Sequence, residues 1–130
     1  MDNILKLRKA IIDDLGSTAP RLYYNYAPAG ATFPYSVFLL DTVIGTDGMI
    51  NADLTIDVAD LGTDDTAVET LAGAIQNALD YEVYFSNGIA FESYAVSRSR
   101  IDEKDKNIMR IRLTFDIRAY ETIETNGGQG

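Results

Sequence analysis

The chain has 130 residues, 46% hydrophobic and 24% charged, with a net charge of −9 and neither cysteine nor histidine. That is one domain's length with enough apolar residues for a core, and it excludes a disulfide framework, thiolate chemistry and any mechanism that needs an imidazole. Residues 1–15 interleave charges with apolar residues, where a secretory leader needs an unbroken apolar run, and the run Val37–Leu40 is too short to span a bilayer. The expectation is a protein made in the cytoplasm with no membrane segment.

In chain order, residues 3–15 have the spacing of an amphipathic helix. Ile4, Leu7, Ile11 and Leu15 form its stripe, and Leu5 and Ile12 widen it. Asp2 or Asn3 suits the cap, and Gly16 with Pro20 suits the stop. Lys6, Lys9, Asp13 and Asp14 fall on the polar side. A tyrosine-rich extended piece, 21–26, leads into an irregular loop with Pro28, Gly30 and Pro34. Residues 35–43 are apolar enough for a strand covered on both faces, and Gly45–Gly48 turns the chain back. Residues 53–60 alternate: Leu54, Ile56 and Val58 to one side, Asp53, Thr55 and Asp57 to the other.

A second helix is predicted over about 64–80, with Thr66 and Glu69 spaced as a capping box and Asp64 and Asp65 at the positive end of its dipole. Val68, Leu71, Ala72, Ile75 and Leu79 form its stripe. A short strand over 81–85 reaches the turn signal Asn87-Gly88, and a longer strand follows over 89–100. Residues 102–107 read as a polar loop. Residues 108–120 are the longest regular signal: Met109, Ile111, Leu113, Phe115, Ile117 and Ala119 face one side, Arg110, Arg112, Thr114, Asp116 and Arg118 the other. Residues 121–130 are Gly-rich and read as a mobile tail after a single domain, 1–120. The order predicts an α+β fold: a mainly antiparallel sheet of four to five strands with two helices packed on one face.

No phosphate-binding loop and no nucleophile elbow occurs, and a Ser–His–Asp triad is impossible. The acidic loops 60–65 and 102–107 do not match a calcium-loop pattern. Asp64 and Asp65 fit a helix start better than an acid/base pair. No cofactor, metal or catalytic residue is expected, so the chain reads as a non-enzyme; a carboxylate-based hydrolase and a plain binding module are the alternatives from other classes. The tyrosines Tyr23, Tyr24, Tyr26 and Tyr35, with Phe33, could stack single-stranded nucleic acid, but only Arg21 lies near them, and a protein interface is the better account.

Residues 22–97 hold eleven acids and no Lys or Arg, while seven of the eleven basic residues fall in 98–118. Two readings are open. The two classes can meet across neighbouring strands and cancel, or they can form complementary patches that dock one copy to the next. The interface set under the second reading is Arg110, Arg112 and Arg118 against Asp53 and Asp57, with Tyr24, Tyr26, Phe33 and Tyr35 alongside.

Three stretches carry a resemblance: the helix 5–15; the run Tyr26-Ala-Pro-Ala-Gly-Ala-Thr-Phe-Pro-Tyr35 entering an apolar strand; and Leu54-Thr-Ile-Asp-Val58 followed by Asp65-Thr-Ala-Val-Glu-Thr-Leu-Ala72. With the long closing strand, they resemble the tail-completion or tail-terminator proteins of long-tailed bacteriophages and prophages, over most of 4–120. The resemblance implies a structural virion protein at the tail–head junction. Its partners would be copies of itself in a ring, usually a hexamer, the tail tube protein and the head connector or neck protein. DNA would pass through the lumen without specific binding. A head-completion or neck protein is the alternative within virion assembly.

Overall fold

The computed structural model describes residues 2–45 and 49–122; the side chain of Ile44 and the expected turn and tail at 46–48 and 123–130 lie outside the described residues. The chain runs α1 (Asn3–Leu15), β1 (Leu22–Tyr24), β2 (Tyr35–Ile44), β3 (Ile50–Leu61), α2 (Thr66–Leu79), β4 (Glu82–Ser86), β5 (Ile89–Arg100), a 3-10 turn (Lys104–Lys106) and β6 (Ile108–Glu121). The strands form one sheet in the order β1-β2-β3-β6-β5-β4. It has six strands, more than the four to five expected. The extra one comes from the tyrosine-rich piece, whose residues 22–24 pair parallel with Ser36–Phe38; the other pairings are antiparallel.

Strand alternation and helix stripes make the core. Leu54, Ile56 and Val58 of β3 and Ile111, Leu113, Phe115 and Ile117 of β6 bury against Leu7, Ile11 and Leu15 of α1 and Val68, Ala72, Ile75 and Leu79 of α2. Both helices contact the sheet on this face. Burying a Leu, Ile or Phe side chain contributes about 1.5–3 kcal/mol, so these rows dominate folding. The helix ends differ from expectation in detail. Asp2 caps α1, its Oδ1 accepting the Ile4 N–H at 3.1 Å. At α2 the N-cap is Asp65, which makes no side-chain cap bond, and Asp64 accepts the N–H and hydroxyl of Thr66 at 3.0 and 2.7 Å. The expected capping box is not made: Thr66 is the first helical residue and not the cap, and Glu69 pairs with the arginines of β5.

Four further expectations are corrected. Leu5 and Ile12 are exposed and do not widen the α1 stripe. Strand β2 is covered on one face only: Phe38 is buried, while Leu39 and Val43 are 44% and 68% exposed. Asp14 is not on a solvated face. It lies against Glu82 of β4, and burial, then the Glu82 charge and the hydrogen bond between the two carboxyls, raise its pKa to about 7. Glu121 also belongs to β6, not to a tail.

Candidate functional site

The face of the sheet opposite the helices is uncovered. Its residues are the alternates of the core rows: Val37, Leu39, Asp41 and Val43 on β2, Asn51, Asp53, Thr55 and Asp57 on β3, the arginines of β6, Glu92 and Tyr94 on β5, Val83 and Phe85 on β4. Strand register stacks them into rows. A shallow groove of about 490 Å³ runs over the β2 side. It is lined by Tyr26, Tyr35, Asp57, Arg110 and Arg112, so five of the nine expected interface residues share it. Asp53 and Arg118 line a second depression of about 260 Å³. Phe33 packs on Tyr35 with ring centres 5.0 Å apart. Tyr24 stands apart from the set: it points to the helix side, edge-on to Phe38 at 5.2 Å, with the Arg8 guanidinium carbon 3.7 Å above its ring centre.

The arginines are engaged within the chain. Arg112 makes a two-pronged pair with Asp57, Nε to Oδ1 at 2.8 Å and Nη2 to Oδ2 at 3.0 Å, and the carboxylate raises the arginine's pKa further. Arg110 reaches Glu103 at 2.6 Å, which lowers the pKa of that carboxyl. Arg98 pairs with Glu69, and Arg100 contacts Asp65, Glu69 and Asp102. The acidic middle and the basic closing segment therefore meet largely inside one molecule, across strands and at the start of α2. Among the described residues Arg118 makes no ion pair; its row neighbours are Asn51 and Glu92.

Sequence reasoning did not see the row next to it. Register places Asp41 of β2, Asp53 of β3 and Asp116 of β6 side by side on the open face, none of them in an ion pair among the described residues. Like charges directly opposite one another destabilise a sheet. Only strand order brings Asp41 and Asp116 together, so spacing along the chain carries no sign of it. Among the described residues no group of three or more such side chains is placed to hold a metal ion. Nor is any described helix long and apolar enough to cross a membrane.

No family model and no curated protein matches the chain. Its fold is similar to that of a chain from the virion of a native gene transfer agent (GTA) particle, with a TM-score of 0.71 and 16% identity, covering 87% of this chain and 93% of that one. At that identity the likeness establishes a shared two-layer α+β fold.

Proposed function

We propose that this is a non-enzymatic, phage-like structural virion protein that assembles as a ring, a hexamer in the tail-terminator reading, at the head-proximal end of a tail. There it ends tube growth and joins the tube to the head connector or neck. The observation that carries this is the likeness in fold, over nearly the full length of both chains, to a component of a GTA virion. Two features support it. An uncovered sheet face whose four middle strands run 10 to 14 residues offers a broad wall. The row Asp41–Asp53–Asp116 sets carboxylates on that wall. A wall of that charge lets DNA pass without adhering, since DNA affinity comes mainly from Lys and Arg on phosphates.

A ring of identical subunits needs two different complementary patches on each. The test is native mass spectrometry and negative-stain microscopy of the purified protein, alone and with tail tube protein. A closed multimer that caps tube ends is expected. A protein that stays monomeric up to millimolar concentration in both conditions ends the ring reading. A multimer that binds the connector but leaves tube ends growing favours the neck alternative.

A further inference from the structure

The sheet ends in two edges that no other described strand covers. On one side β4 is the last strand. On the other, β1 covers only Ser36–Phe38, so the rest of β2, residues 39–44, has no neighbouring strand among the described residues. Soluble proteins blunt such edges with Lys, Pro or a bulge. Neither stretch, Leu39–Ile44 nor Glu82–Ser86, contains Lys, Arg or Pro. The register shift in this sheet lies inside β5, at Ala95/Ser97, and not at an edge. Each stretch shows apolar side chains on the open face: Leu39 and Val43 at one margin, Val83 and Phe85, 53% and 66% exposed, at the other.

We propose that the ring closes by joining these edges, β4 of one subunit lying parallel beside the last residues of β2, 42–44, in the next. This rests on the ring reading above and specifies its contact. Three geometric facts converge on it. First, direction. Following the antiparallel steps β2, β3, β6, β5, β4 brings β4 back to the direction of β2. Rotation about an axis along the strands then sets the two edges parallel.

Second, backbone parity. The β4–β5 turn is the two-residue Asn87-Gly88, both at positive φ, with Ser86 opposite Ile89. That turn makes Ser86, Tyr84 and Glu82 bond to β5, so the N–H and C=O of Val83 and Phe85 point outward. On β2, Ser36 N–H bonds to Arg21 and Phe38 C=O accepts from Asn25. The even-numbered residues thus face outward, and beyond β1 these are Leu40, Thr42 and Ile44. In a parallel pair, a residue with outward backbone bonds to the two residues flanking the one beside it. Val83 beside Val43 would donate to Thr42 C=O and accept from Ile44 N–H, with both valines on the open face. An antiparallel join would align Val83 with an even residue whose side chain faces the helices, and the two faces would be crossed.

Third, level. Val43, Asn51, Arg118, Glu92 and Val83 form one row across five strands. The join in which the row of one subunit continues into the row of the next sets valine beside valine.

The chain has no cysteine, so the contact can be trapped cleanly. Neighbouring strands lie about 4.8 Å apart, within disulfide reach. Under mild oxidation the double variant Val43→Cys/Val83→Cys should give a ladder of covalent multimers up to the ring size on a non-reducing gel, collapsing with reductant. Each single variant should stay monomeric on that gel. Val83→Lys should abolish the multimer seen by native mass spectrometry while leaving the circular dichroism spectrum and Tm of the monomer unchanged. A covalent dimer from Val83→Cys or Val43→Cys alone would show edges pairing with themselves and overturn the proposal. A parent that forms a multimer while the double variant gives no ladder keeps the ring and rejects these edges. A parent with no multimer at all rejects the ring reading itself.

Discussion

The two faces of the sheet are made by the same strands and differ in every other residue. Beneath the helices, Leu54, Ile56, Leu113 and Phe115 are sealed from solvent. One residue away along each strand stand Asp53, Thr55, Arg112 and Asp116, open to it. The covered face holds contacts whose loss cannot be replaced by water. The open face holds ion pairs and unpaired charges for which water is nearly as good a partner. Stability therefore resides on one side, and the other side is free to take up contacts outside the molecule.

The sharpest way to break that contrast is on the covered face. Phe115→Ala should cost about 3–5 kcal/mol, read as a lower midpoint in urea denaturation at unchanged slope. If the loss is under ~1 kcal/mol, the core is not where the buried rows place it.

A smaller effect is expected where the faces meet the edge, at Asp14 and Glu82. The Asp14 carboxyl titrates near 7 in the folded chain, above its ordinary value of 3.8, because burial and Glu82 disfavour its charge. The folded state then holds a proton that the unfolded state releases. Stability from this site is full below about pH 4, declines as pH rises toward 7 and is level above that. Asp14→Asn should flatten this decline and raise stability at pH 8 by about 1 kcal/mol, measured by thermal melts across pH. A variant with the parent's pH profile would show that Asp14 is not the group behind the decline.

On the open face the effects shrink. Arg112→Ala removes a two-pronged pair, yet the monomer should lose less than about 1 kcal/mol, since solvent screens it. A loss of several kcal/mol would mean that this face is structural after all. Asp53→Asn should stabilise by a few tenths of a kcal/mol, on the order of 0.3, by relieving the carboxylate row, and the gain should fade in high salt. If added salt leaves the gain intact, charge repulsion is not its origin.

Residue spacing made both helices legible, as well as the long closing strand and the alternation of β3. Each rests on a local rule: a 3.6-residue stripe or a two-residue alternation that one buried face enforces. The same spacing could not say where Asp14 would sit, because Glu82, the carboxyl it meets, lies 68 positions further along the chain. It exposed the segregation of charge but not its outcome. Arg112 meets Asp57 only because β6 lies beside β3, and Arg98 meets Glu69 only because α2 lies over β5.

Local pattern alone thus determined both helices, β3 and the closing strand with their apolar sides, since periodic burial is written residue by residue; it did not reveal β1 or the bare face of β2. Strand order belonged to the tertiary structure, because neighbours in a sheet are chosen by packing over distances that no local period encodes. From that order came the pairing of Arg112 with Asp57, the row Asp41–Asp53–Asp116 and the two bare edges that carry Val43 and Val83.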